Sequence, residues 1–311
     1  APMVLCLKTR KSRTLPGYSK MKKIIIVTGG AGFVGSNLIE YFLIKTNLRI
    51  VSIDNYSTGK KLNHIKNERV SYIKGNTKNI SKILKKHKKD INCIFHFGEF
   101  SRIYQSFRSF NECYDSNSIS SKEVFKFCLD NNIRLIYSAT SATLGNKGSD
   151  KNLSPYAFTK AKNLELLENL KTWFNFKFDV VFFYNVYGPK QIRSGKMSTV
   201  IGIFEDCYEK NKLLPVVKPG TQTRRFTHIH DTIEVCFEAW KKKKFIKYSV
   251  SNKKSYSIIQ VAKMFNSKIK FLPKRKGERY ASALSNSHNK QKIHKRFGKI
   301  DLKNYIEQFI G

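Results

Sequence analysis

A run of β-branched residues, Ile24-Ile25-Ile26-Val27, passes directly into Thr28-Gly29-Gly30-Ala31-Gly32-Phe33-Val34-Gly35-Ser36 and then into the helix-patterned stretch Asn37 to Ile44. No other stretch restricts the fold so tightly. The segment from Lys22 to Val27 reads as a buried parallel strand. Glycines 29, 32 and 35 allow a tight turn, close approach of the backbone to a bound pyrophosphate, and close packing of helix on strand. The N-terminus of the helix that follows offers unpaired N–H groups to phosphate oxygens, and Phe33 and Val34, within the signature, are expected to bind the cofactor. The next strand, Leu48 to Ile53, closes on Asp54-Asn55. A carboxylate at that point accepts hydrogen bonds from adenosine ribose hydroxyls and repels a 2′-phosphate, which favours NAD over NADP. A glycine cluster alone reads equally well as a loop. Strand, helix and acid in register make it a dinucleotide site.

Further strands are expected at Val70 to Lys74, Cys93 to Phe97, Arg134 to Ser138 and Asp179 to Tyr184, with helices at Ile80 to Lys88, Ser116 to Asp130 and Tyr156 to Phe174. Alternating strand and helix imply an α/β fold, a Rossmann-type doubly wound parallel sheet with ligands at the C-terminal strand ends. Beyond Pro189 the pattern is less regular, with Pro/Gly-rich connections at Leu214 to Gly220 and Pro273 to Gly277. The expected division is therefore a cofactor domain over 21–188 and a smaller, mainly substrate-binding domain over 189–311. The segment from about 224 to 252 is expected to return to the main sheet.

A Tyr and a Lys four positions apart, Tyr156 and Lys160 in the run Ser154 to Lys160, lie one turn from each other on the helix expected over Tyr156 to Phe174. A phenol with its ordinary pKa of about 10 is a poor base at neutral pH. An ammonium one turn away stabilises the phenolate and makes Tyr156 a candidate base for an alcohol proton. Long helices contain many such pairs by chance as surface residues; the dinucleotide signature is what gives this one weight.

The formal net charge is +37 over 311 residues. The excess is spread from end to end, mostly as Lys on helix faces and loops, and no nucleic-acid motif accompanies it, so a nucleic-acid partner is not expected. No apolar run approaches the ~20 residues of a membrane span. Six cysteines, at 6, 93, 113, 128, 207 and 236, form no C-x-x-C pair. They read as small core residues in a reducing, cytoplasmic compartment, and no metal is expected. Residues 1–20 carry five Lys or Arg and no acid before Met21-Lys22-Lys23. They read as a basic leader or an added segment, and a genuine transit peptide would make the protein organellar.

Taken together, these motifs resemble the NAD-dependent epimerase/dehydratase family, the extended short-chain dehydrogenases that act on nucleotide sugars. The resemblance runs from Met21 to about Arg279 and includes Thr28 to Ser36, Asp54-Asn55, Ser138 to Gly145, the Tyr156/Lys160 pair and Tyr184-Asn185-Val186-Tyr187-Gly188-Pro189. It implies that Thr140 is a third catalytic group, bonding the sugar oxygen and relaying its proton to Tyr156. It implies that Asn76-Thr77 contacts adenine, with Asn where Asp is usual, and that Phe97-Gly98-Glu99 and Asn117 line the path of the nicotinamide ribose and pyrophosphate. Ser138 and Tyr184, at their strand ends, complete the cofactor set. For the nucleotide diphosphate it implies Asn185, Arg224 and Arg275, whose guanidinium forks suit phosphate. His228 and His230 are expected to serve structure.

Departures bear on the reaction. Where the family's dehydratases place an Asp-Glu pair and its decarboxylases a Glu, this chain has Ser141-Ala142. Ser101 stands where many 4-epimerases carry Lys, and Glu99, Arg102 and Gln105 beside it suggest an unusual sugar pocket. The resemblance therefore implies a homodimeric C4 epimerase of a nucleotide-diphosphate sugar. A dehydratase or reductase of the same family is the rival enzyme, and an idle basic nucleic-acid or surface-binding protein the rival of another class.

Overall fold

The computed structural model describes residues 23–277 and 293–311. The leader expected at 1–20, Cys6 and Arg279 lie outside the described residues. The first half alternates as expected, through β1 (Ile24–Thr28), α1 (Phe33–Lys45), β2 (Arg49–Asp54), β3 (Val70–Lys74), α2 (Ile80–Ile83), β4 (Ile91–His96), α3 (Ile103–Arg108), α4 (Phe110–Tyr114), α5 (Ser121–Asp130), β5 (Arg134–Thr140), α6 (Pro155–Phe174) and β6 (Phe178–Phe183). The second half comprises β7 (Val186–Tyr187), α7 (Val200–Glu209), β8 (Leu214–Val217), β9 (Thr223–Arg224), β10 (Thr227–His228), α8 (Ile229–Lys242), β11 (Lys247–Ser251), β12 (Tyr256–Ser257), α9 (Ile258–Met264), β13 (Ile269–Leu272), β14 (Ile293–Phe297) and α10 (Leu302–Ile310).

Eight strands form one sheet in the order β14-β11-β6-β5-β4-β1-β2-β3. Its pairings are parallel throughout. Alternate residues of β1 explain why both faces need covering. Ile24 and Ile26 join the core under α5 and α6, whereas Ile25 and Val27 join the core under α1 and α8. A third core, around Phe204, Phe226, Phe265 and Leu302, holds α7, α9 and α10 together.

Two elements differ from expectation. The helix expected to Lys88 ends at Ile83 and continues as turn. Lys85, Lys86, Lys88 and Lys89 crowd like charges onto what would be its last turns, which disfavours their continuation. The segment 115–120 is a π-helical stretch running into α5, and it carries Asn117. Among the described residues no helix is long and apolar enough to cross a membrane.

Candidate active site

Strand order reverses between β1 and β4, and the cleft at the C-terminal ends of these strands is where such sheets hold ligands. Here the backbones after β1 and β4 nearly touch. A Cβ on Gly29, whose φ is +72°, would come within 2.8 Å of the Gly98 backbone nitrogen, and one on Gly35 would come within 2.2 Å of the Gly29 carbonyl oxygen. Gly98 thus enters as part of the packing that shapes the turn. The cradle fits a pyrophosphate: small residues, a helix N-terminus without a side-chain cap at Gly32, and backbone N–H groups facing the turn.

Asp54 ends β2 and is buried. Oδ2 accepts the Ala31 N–H at 2.9 Å and Oδ1 accepts that of Tyr56 at 2.8 Å. Burial lifts its carboxyl above the usual range, while the backbone bonds pull the other way. Each oxygen keeps a lone pair for a ribose hydroxyl. Asn55 is exposed, and Phe33 and Val34 stand half-buried at the start of α1. Asn76 Oδ1 accepts from Lys78 N and from Ser120 Oγ, with Thr77 buried beside it.

The reacting end is built on β5 and α6. Ser154 caps α6, its hydroxyl accepting the Ala157 N–H at 3.1 Å, and Pro155 follows in the first turn. Tyr156 therefore sits in the first turn and Lys160 in the second. Tyr156, Ala157, Thr159, Lys160, Asn163 and Leu167 form the buried face. Lys160 Nζ donates to the Ser138 carbonyl at 2.6 Å and to Glu99 Oε2. Its ammonium also lies 4.6 Å from the Tyr137 ring centroid. Thr140 is buried at the end of β5, where its hydroxyl accepts the Ala142 N–H at 3.2 Å and keeps its own proton to give. Ser138 Oγ donates to the His96 carbonyl. Ser141 and Ala142, which follow Thr140 and carry no carboxylate, are buried as well.

Several expected residues turn inward. Asn117 is fully buried and clamps the Phe100 peptide, accepting its N–H at 2.7 Å and donating to its carbonyl at 3.1 Å. Tyr184 is buried after β6, with Ser249 Oγ 3.3 Å from its hydroxyl. Phe97 packs edge-on against Phe183. At the substrate side, Asn185 takes a left-handed φ of 33° and donates to the Arg225 carbonyl at 3.0 Å. Arg224 is buried in the ribbon that β9 forms with β12, and donates to the Thr223 carbonyl. Arg275 is exposed and stacks 5.1 Å from the ring of Tyr104 on α3, a residue that follows Ser101 and Arg102 closely in sequence. His228 caps α8, its Nδ1 accepting the His230 N–H.

Residues the sequence reading did not single out complete the centre: His96, Ser121, Tyr137 and Asn163. Asn163 carries the one signal available beforehand, a polar side chain on the Tyr156/Lys160 face at helical spacing.

The NAD dependent epimerase/dehydratase family model matches residues 25–251. Among solved structures, the UDP-glucose 4-epimerase of Thermotoga maritima, determined with UDP-glucose, is 20% identical with a TM-score of 0.80, covering 92% of this chain and 97% of that one. The UDP-N-acetylglucosamine 4-epimerase of Methanobrevibacter ruminantium, in complex with UDP-N-acetylmuramic acid, is 24% identical with a TM-score of 0.76, covering 93% and 96%. The dTDP-glucose 4,6-dehydratase of Bacillus anthracis, in complex with NAD, is 20% identical with a TM-score of 0.74, covering 84% and 87%. These likenesses are likenesses of fold.

Proposed function

Since the chain belongs to the NAD dependent epimerase/dehydratase family, we propose that it is a nucleotide-sugar epimerase acting at C4. NAD is the cofactor, and when bound it supplies reversible oxidation of one sugar carbon. Gly29, Gly32, Gly35 and the N-terminus of α1 would hold its pyrophosphate, and Asp54 its adenosine ribose. Tyr156 takes the proton of the sugar hydroxyl and returns it. Thr140 hydrogen-bonds the same oxygen, and Lys160 stabilises the phenolate and holds the nicotinamide ribose. Asn185, Arg224 and Arg275 grip the nucleotide diphosphate. Strong binding there and weak binding of the sugar lets the oxidised sugar turn over between the two half-reactions.

The observation that carries epimerisation over elimination is Ser141-Ala142. These buried residues offer neither acid nor base to draw the keto sugar into water loss or decarboxylation. Residues up to 188 form the cofactor half in this reading, and 189–311 mainly the substrate half, with about 224–252 returning to the sheet. Incubation with UDP-, ADP-, GDP- and CDP-sugars tests it. One of them is expected to give a product of unchanged mass and inverted configuration with no net NADH. Loss of water or carbon dioxide, or stoichiometric cofactor consumption, excludes an epimerase.

The active form in this reading is a homodimer. Phe110, Tyr114, Ile119, Phe158, Trp173 and Phe174 are exposed large apolar residues lying between residues 110 and 174, on α4, α6 and the π-helical stretch before α5. Sedimentation should give twice the chain mass, and Phe158→Glu should reduce it. The free cysteines, four of five buried among the described residues, suit a cytoplasmic protein.

A further inference from the structure

Lys74 ends β3 as the register partner of Asp54, and the Gly75 N–H donates to the Asp54 carbonyl at 2.9 Å. Asn76 follows at once, so it leaves the sheet beside the carboxylate that would hold the adenosine ribose. Its carbonyl accepts the Asn79 N–H at 3.0 Å, and its side chain caps the short helical turn Thr77–Asn79.

That capping bond fixes which end of the amide is which. A backbone N–H only donates, so the atom 3.0 Å from Lys78 N is the oxygen, Oδ1. Ser120, buried on the π-helical stretch, donates its hydroxyl to the same oxygen at 3.2 Å. An amide oxygen has two lone pairs, and both are taken. What the half-buried Asn76 has left is Nδ2, whose hydrogens meet no acceptor among the described residues.

An aspartate at this place would make the same turn with one carboxylate oxygen and keep the other as an acceptor. Asn in its stead leaves the turn as it is and reverses the polarity of the free atom. The exocyclic amine of adenine is a donor, which suits a carboxylate. Its ring nitrogens N1 and N7 are acceptors, which suit Nδ2.

We propose that Asn76 reads the base of the dinucleotide as a donor, through a ring nitrogen, and that the exocyclic amine of adenine goes unread. This deepens the reading of NAD as the cofactor and rests on it. The consequence is a relaxed choice of purine. Hypoxanthine bears a hydrogen on N1 but keeps N7 and carries a keto oxygen in place of the amine, so the Nδ2 donor finds an acceptor on either base. A carboxylate would instead accept the adenine amine and repel the keto oxygen. A site that hydrogen-bonds a group rejects the analogue lacking it, and a site that leaves the group unread does not.

Calorimetric titration with NAD and with nicotinamide hypoxanthine dinucleotide needs neither sugar nor turnover. The wild type should bind the two within about threefold of each other. Asn76→Asp keeps the cap and should prefer NAD by at least about tenfold. Asn76→Ala should weaken both dinucleotides alike, by about three- to tenfold. A wild type that prefers NAD by more than about tenfold reads the amine through an acceptor, and that overturns the proposal. Wild-type affinities in Asn76→Ala, or an unchanged ratio in Asn76→Asp, place Asn76 away from the base and overturn it as well. Failure of the sugar panel leaves the ratio readable, whereas a chain that binds neither dinucleotide overturns the cofactor reading and this proposal with it.

Discussion

Gly35 meets a constraint that no other residue type can meet at its place. Its missing side chain is filled by the Gly29 carbonyl, so a methyl group must displace the backbone of the phosphate turn. Gly35→Ala is expected to cost about 1–3 kcal/mol of stability and to weaken NAD at least about tenfold, as thermal unfolding and calorimetric titration would measure. In the proposed reading, chemistry and binding separate at two other residues. Tyr156→Phe keeps the pocket filled, so turnover should fall about 10²–10⁴-fold while NAD affinity is unchanged. Arg224→Ala should instead weaken the nucleotide sugar by about 2–5 kcal/mol. Tyr156, Lys160 and Asp54 could be picked out as candidates in the sequence because each stands in a short motif at fixed spacing, and Thr140 through the family resemblance. The pairing of Glu99 with Lys160 could not, because it spans 61 positions and depends on how β4 and α6 pack.

Elements were legible where apolar pattern decides them, as in β1, β5 and α6. They were not where charge or pairing does. β14 reads Ile-His-Lys-Arg-Phe, with no face that looks buried, and it becomes a strand only because β11 offers an edge. It is tied to α8 by Arg296, whose Nε donates to Glu238 Oε2 at 3.1 Å while Nη2 donates to Oε1. Arg296 first, then Lys242, holds the Glu238 carboxyl at about 2 against an ordinary value of 4.5. A depressed carboxyl stabilises the fold above its unfolded value and ceases to as it takes up a proton. The tie should therefore be at full strength above about pH 5 and lost progressively toward pH 2. Half-exposure and salt screen it, so the effect is small. The protection factors of the 293–297 amides, taken relative to intrinsic exchange at each pH, should fall modestly over that window, and in Arg296→Met they should be lowered already at pH 7.

Across the whole molecule, the net charge of +37 is the feature the proposed chemistry uses least. Exposed lysines paired locally, such as Lys126 with Asp130 and Lys242 with Glu238, contribute little to stability. A field of this sign draws an anionic diphosphate toward the cleft and raises its association rate at low salt. Nucleic acid should bind weakly and without sequence preference, and leave steeply as salt rises. Binding below micromolar that survives physiological salt and competes with NAD would instead support a nucleic-acid function.

The order of strands carries a further consequence, for modularity. β11 and β14 extend the sheet that carries the cofactor cleft, yet both follow residues 189–228 in the chain, and α9 and β13 come between them. The two halves are stitched rather than strung. A chimera spliced at residue 189 to a relative's substrate half inherits that relative's outer strands, and they must match the unpaired edge of β6 in register and in side chain. Recombination within such a fold is therefore expected to succeed by exchanging loops at the cleft more readily than by exchanging halves, which is one route by which a shared sheet can come to serve different sugars.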